Sequence, residues 1–354
     1  MKRILCVLLI TGALFLLLWG CSKNTSTSPS SSPQWRVVGN AGGFSPGAAS
    51  YTSLYVYNNT PYVAFVDATA NSRATVMDYN GSSWVTNEYL ASPTQYTSVF
   101  VYGGTPYVTY QDYLNEMVMY NIASNKYTTT NAISSMSSYL SGTNGTSYIA
   151  YVSNSTISVI TYTGVSWTSI GNAFGQTSLA PSMCVSNGVQ YVAYVDSSSN
   201  SIYVMTFTGG TWAAVGGSSF GRTQSAPSLS VEGGTPYVAF SDTSSSGYGR
   251  AAVEYYSGGW VPYGGADFSE ESVNYLSLQL YNQIPYVAFQ DNANSSKVTV
   301  MTCASAAGQW TTVGSKAFSA GAAQYISLFI NNGTPCVAYC DGANYNKATM
   351  MYYH

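Results

Sequence analysis

Six aspartates close successive copies of one short motif: Asp67, Asp112, Asp196, Asp242, Asp291 and Asp341. A ring of carboxylates on one face is chemistry for a cation or for sugar hydroxyls, so these six are the candidate ligand-binding residues. An aspartate that ends a strand ahead of Ser, Asn and Gly also accepts from the backbone N–H groups of its own turn. Its return in six units favours that structural role. Asn71, Asn294 and Asn344 stand in the loops that follow and would complete a calcium site, but the spacing matches no calcium-binding loop. Calcium is the one ion these loops suggest, and no other cofactor is expected.

Catalytic constellations are hard to assemble. His354 is the single histidine and the final residue, which removes a Ser-His-Asp or Cys-His arrangement. Glu270 and Glu271 are adjacent and point apart on a strand, a poor geometry for a paired acid and base. Cys184, Cys303, Cys336 and Cys340 lie beyond the N-terminal segment. Cys336 and Cys340 sit four apart on one strand, about 13 Å along it, too far for a mutual disulfide. Buried free thiols are expected, and an enzyme is not.

The element that positions these residues is a repeat. Pro61-Tyr62-Val63-Ala64-Phe65-Val66-Asp67 returns around Tyr107, Tyr148, Tyr191, Tyr237, Tyr286 and Cys336, at spacings of 45, 41, 43, 46, 49 and 50. Seven units of this size are those of a β-propeller blade of four strands. A serine nine residues ahead of the motif tyrosine position marks a first strand, at Ser53, Ser98, Ser182, Ser228, Ser277 and Ser327. Turns such as Gly103-Gly104-Thr105 and Asn332-Gly333-Thr334 suit tight hairpins into the second strand. Ala74–Met77 and Val298–Met301 exemplify a third strand, and Trp84, Trp167, Trp212, Trp260 and Trp310 mark a fourth. The last unit lacks its tryptophan strand, while Gln34-Trp35-Arg36-Val37-Val38-Gly39 stands unmatched at the other end. The N-terminal strand is therefore expected to complete the last blade, giving 28 strands with Tyr127 in place of one tryptophan. The third unit drifts, with Tyr139, Ser147 and Ser153 at the serine, proline and aspartate positions.

Two connections per blade are tight turns. The other two, the loops between blades and those after each aspartate, emerge on the opposite, elaborated face, where binding residues are expected. Loop phenylalanines Phe44, Phe174, Phe220, Phe268 and Phe318 recur regularly, a pattern of blade-to-blade packing more than of sugar stacking.

Ahead of the repeat, Met1-Lys2-Arg3 precedes an apolar run from Ile4 to Trp19 and then Gly20-Cys21. This has the form of a secretory signal, shorter than the roughly 20 residues of a helical span. Leu18-Trp19-Gly20-Cys21 resembles the bacterial lipobox, which implies acylation of Cys21. Ser22–Pro33 buries no face and reads as a tether with an r.m.s. span of roughly 20 Å. The expected domains are 1–20 signal peptide, 21–33 lipidated cysteine and tether, and 34–354 propeller.

Only 7% of residues are charged, against about 25% in ordinary soluble domains. Without Lys2 and Arg3 the formal net charge is −5, and no basic stripe remains for nucleic acid. Tyrosine and glycine, 33 of each, with abundant Ser, Thr and Asn, take the place of charge. Such residues build adaptable uncharged binding surfaces.

The Tyr-Val-Ala-Tyr/Phe-x-Asp motif, with a downstream tryptophan strand and Val-Gly as in Trp310-Thr311-Thr312-Val313-Gly314, resembles bacterial secreted propeller lipoproteins. It is more weakly similar to fucose-specific-lectin-type propellers. Those lectins repeat an arginine and an acidic residue around the ring, and Arg36, Arg73, Arg222 and Arg250 are too few for that pattern. The Gly81 to Trp84 turn resembles the Asp-box of sialidase propellers, but Tyr79 and Tyr162 stand where that box has its aspartate. The resemblance implies an all-β, seven-bladed propeller. The tether, the low charge and the Tyr/Ser/Asn-rich loops point to an envelope binding or adhesion module, with a glycan as the expected ligand. A protein-docking scaffold is the alternative. A monomer is expected, held to a membrane only through its lipid, on the outer side of the cytoplasmic membrane or in the outer membrane.

Overall fold

The computed structural model describes residues 32–39, 42–90, 94–124, 126–129, 141–143, 146–244 and 249–354. Cys21, the signal segment, the tether up to residue 31, and Tyr139 lie outside the described residues. The chain divides into a short N-terminal unit, Met1–Ser32, and a second unit, Pro33–His354, which is the propeller.

Seven antiparallel sheets form seven blades. Blade 1 runs through Ala49–Tyr57, Thr60–Asp67, Arg73–Tyr79 and Trp84–Tyr89, in that order from the axis outward. Blades 2 to 6 repeat the order, with first strands Gln95–Tyr102, Ser141–Thr143, Ser182–Ser186, Ser228–Glu232 and Val273–Tyr281. Blade 7 takes Ala323–Asn331, Thr334–Asp341 and Lys347–Tyr353 from the C-terminus and Trp35–Val37 from the N-terminus. Trp35 lies opposite Tyr353, and Gln34 and His354 exchange backbone hydrogen bonds of 3.0 and 3.1 Å. The expected closure by the N-terminal strand is thus the observed one.

Each first strand touches the first strand of both neighbouring blades, so the inner wall is continuous around the axis. The recurrent serines hold it. Ser327, Ser53, Ser182, Ser228 and Ser277 accept the backbone N–H of Leu54, Val99, Leu229, Leu278 and Leu328 in the next blade, at 2.9–3.1 Å. The hydrophobic core is correspondingly divided into seven clusters, one at each blade-to-blade junction. At the closing junction Cys336, Ala338, Cys340 and Met350 of blade 7 pack on Leu54, Val63, Phe65 and Met77 of blade 1. Because all seven junctions lie within the second unit, that unit carries its own core.

One strand exceeds the expected set. Phe220–Arg222, in the loop leaving blade 4, pairs with the third strand Ser201–Thr208. The corresponding loops elsewhere make only single bridges, Ile157 to Phe174, Arg250 to Ser272 and Lys347 to Ala48. Blade 3 keeps four strands despite its drift. Its second and third strands meet through Asn154 and Ser155, at φ 48° and 64°, a two-residue turn too short to need an aspartate at position 153.

Candidate binding site at the channel mouth

On the elaborated face the six aspartates serve their own loops. Asp67 accepts from Thr69 N at 2.9 Å and Thr69 Oγ1 at 2.7 Å. Asp112 accepts from the backbone N–H groups of Leu114 and Glu116, and Asp196 from Ser198 and Ser199. The Ser198 bonds lead in holding the Asp196 carboxyl below its ordinary range. Asp242 holds Ser244, while Asp291 takes Asn294 Nδ2 and Thr299 Oγ1. Asp341 accepts from Ala343 N, from Asn344 Nδ2 and, at 3.0 Å, from Gly321 N in the loop entering its blade. Asp67, Asp242, Asp291 and Asp341 are buried; Asp112 and Asp196 are half-buried. Asn294 and Asn344 turn their amide N–H groups toward the aspartates, and Asn71 ends its turn at φ 56°. Among the described residues no three Asp, Glu, Cys or His side chains gather as a metal site.

The loop phenylalanines bridge blades. Phe44 donates its backbone N–H to Ala348 of blade 7 and stacks its ring on Trp84 of blade 1, with centroids 3.8 Å apart and planes 13° apart. Phe268 and Phe318 repeat this between blades 5 and 6 and blades 6 and 7, stacked on Trp310 and Trp35 at 4.0 and 3.9 Å. Phe220 stacks on Trp260 at 3.9 Å and Phe174 tilts against Trp212 at 4.7 Å. Rings so enclosed on one face are packing groups. Ser45, Ser269 and Ser319, each just after its phenylalanine, accept the N–H of Ala348, Ala251 and Val298 and fix the same loops.

What sequence reasoning missed lies on the axis. Tyr51, Tyr96, Tyr275 and Tyr325 each precede the recurrent serine by two residues, and each adopts a left-handed backbone with φ of 50–54°. All four sit where the register slips in the first strand, between Ser50 and Ser53 and its counterparts in blades 2, 6 and 7. A bulge of this kind swings one side chain out of the pleat. Here it turns the tyrosines over the mouth of the central channel, at the elaborated end. Thr52 and Thr97 fix the arrangement by donating their hydroxyls to the carbonyls of Tyr325 and Tyr51 in the preceding blade. The signal was present as Tyr-x-Ser in four of seven units.

The mouth is a cavity of about 240 Å³ lined by the four tyrosines with Thr52, Thr97, Leu276 and Ile326. Behind it the channel, about 350 Å³, is lined by Ser53, Ser98, Ser182, Ser228, Ser277 and Ser327 among apolar residues. Among the described residues no charged side chain lines either cavity. Burial pushes the Tyr325 phenol up to about 12, helped by neighbouring Tyr51 and Tyr275. Burial also raises Tyr51 and Tyr275. These phenols are neutral hydrogen-bond donors and acceptors at physiological pH. A larger cavity, about 590 Å³, lies between blades 2 and 3 on the tight-turn face, against Tyr107, Tyr148 and Tyr162.

No protein-family profile matches the chain, and comparison with curated proteins gives no match. Solved structures share its fold. A mutant of the Aleuria aurantia lectin in complex with α-methyl-L-fucoside is 16% identical and covers 78% of this chain and 99% of the lectin, with a TM-score of 0.52. The SapL1 lectin in complex with α-methyl fucoside is 15% identical and covers 79% of this chain and 100% of that one, with a TM-score of 0.53. At these identities the likeness is one of propeller fold, and function rests on the site.

Proposed function

We propose that this chain is a lipid-anchored envelope module that binds glycans through the elaborated face of its propeller. The observation that carries the reading is the uncharged, concave mouth walled by Tyr51, Tyr96, Tyr275 and Tyr325. Aromatic walls beside hydroxyl groups suit sugars, which present apolar C–H faces and polar edges. Two propellers of similar fold are lectins in complex with a fucoside, which supports the same class of ligand here. Acylated Cys21 supplies the anchor in this reading, and residues 22–33 lift the propeller clear of the membrane surface as a monomer.

The test is a glycan array probed with residues 34–354, with and without calcium. Reproducible binding to a defined sugar supports the proposal. Silence across a broad array overturns it in favour of an envelope protein partner. A calcium requirement would give the aspartate loops an ion to hold; binding without calcium leaves them as turn caps. The anchor is tested in the full chain by Cys21→Ala, which is expected to abolish labelling by a radioactive fatty acid and to release the chain from the membrane fraction. Labelling that survives the substitution contradicts the anchor.

A further inference from the structure

The four tyrosines occupy consecutive blades. In the order blade 6, 7, 1, 2, the pairs Tyr275–Tyr325, Tyr325–Tyr51 and Tyr51–Tyr96 have ring centroids 5.2, 4.8 and 5.0 Å apart, tilted by 47–53°. Blades 4 and 5 offer no ring at this position: Ala180-Pro181 and Ala226-Pro227 lead straight into Ser182 and Ser228. Among the described residues the aromatic arc of the mouth therefore runs along blades 6, 7, 1 and 2. Seven-fold repetition would build seven equivalent sites, whereas among the described residues this arc occurs once.

Each arc residue pays a backbone cost. A non-glycine residue in the left-handed region is strained, and glycine or asparagine would sit there with less strain. Four tyrosines held in this conformation point to a use for the rings. We infer that the mouth is a single axial site for the end of a neutral oligosaccharide, one per propeller, with a terminal sugar ring against Tyr51 and Tyr325. The serine-lined channel beneath takes its hydroxyls. Each bridging serine oxygen accepts one backbone N–H and keeps its own proton for a further partner. Neutrality follows from the lining, because a carboxylate desolvated against it would meet no cationic partner among the described residues. Mouth and channel together fall within the ~300–1,000 Å³ of small-ligand pockets. This site deepens the glycan reading above and rests on it.

The experiment is calorimetric titration of residues 34–354 with the methyl glycosides of glucose, galactose, mannose, fucose and N-acetylglucosamine, and with methyl glucuronide and a methyl sialoside. A neutral glycoside is expected to bind at one site per chain, and the acidic ones not to bind. Tyr51→Gly and Tyr325→Gly, which suit the positive φ, are expected to weaken binding at least tenfold with circular dichroism unchanged. If a glycine variant melts early, Tyr275→Asn, at the most exposed of the four, gives the same readout. Tyr148→Ala on the opposite face is expected to bind normally. Several sites per chain, or tyrosine variants that bind as the parent does, would overturn the axial site and leave glycan binding standing. Silence from every glycoside and from the array would remove both.

Discussion

The indole N–H of Trp84 donates to the carbonyl oxygen of Val38 at 3.0 Å, joining the fourth strand of blade 1 to the fourth strand of blade 7. Trp35, Trp212, Trp260 and Trp310 make the same bond to Val313, Ile170, Val215 and Tyr263, at 2.7–3.2 Å. A glycine follows each acceptor. At Gly39, with φ +81°, an added Cβ would lie 3.0 Å from the Trp84 ring. Among the described residues the outer rim is thus latched by indoles at five junctions, as the inner rim is by serines at five; the Trp167 indole makes no such bond.

The latch predicts unequal costs for two glycine substitutions. Gly81 also has positive φ, at +96°, but open space around it. Gly81→Ala is expected to cost about 1 kcal/mol from backbone strain alone. Gly39→Ala adds the collision with Trp84 and should cost about 1–3 kcal/mol more. Urea midpoints of the two variants make the comparison, and equal shifts would contradict the latch.

Ring closure depends on a strand of three residues. Removing residues 33–39 deletes the Trp35 bond to Val313 and its stack on Phe318, and bares the edge of Lys347–Tyr353. An open edge of this kind invites pairing with another chain. The truncated propeller is expected to melt at least about 5 °C lower and to form oligomers on size exclusion. A monomer of unchanged melting temperature would contradict the closure.

Glu254 supplies a pH dependence. Burial, with Asp242 adding repulsion, raises its carboxyl from 4.5 to about 7. Between these values the folded state holds a proton that the unfolded chain has lost, so stability falls as pH rises through that window. Glu254→Gln is expected to flatten this fall and to raise the melting temperature at pH 8 by a few degrees, the group being only partly buried. Parallel pH profiles for variant and parent would count against it.

The thiols are expected to be silent. Cys303, Cys336 and Cys340 are buried, and burial pushes Cys336 and Cys340 up to about 12 and Cys184 to about 11. A thiol reagent at pH 8 should label none of these three shifted thiols rapidly in the native propeller and all four cysteines in denaturant. Rapid native labelling at Cys336 or Cys340 would show that the junction of blades 7 and 1 opens.

Sequence made the blades legible because each second strand repeats Tyr-Val-Ala at nearly constant spacing, and because Trp35-x-x-Val38-Gly39 supplied the rim strand that the last unit lacked. Partners were less legible. The ring places Tyr51 beside Tyr325 and Phe44 on Trp84, and no local pattern states which blade a ring will touch. The tyrosine arc was hidden for a second reason. A regular strand would put Tyr51 and Ser53 on one face, and only the bulge, invisible in period-2 patterning, parts them. The aspartates showed the converse: their recurrence marked them, and their hydrogen bonds turn inward to their own loops.

The most direct measurement is the crystal structure of residues 34–354 soaked with the strongest neutral sugar from the array. Density for one sugar ring at the channel mouth, packed against Tyr51 and Tyr325 with hydroxyls directed into the serine channel, is the predicted result. Sugar held in the cleft between blades 2 and 3, against Tyr107 and Tyr148, or repeated at several blades with the mouth empty, would contradict it.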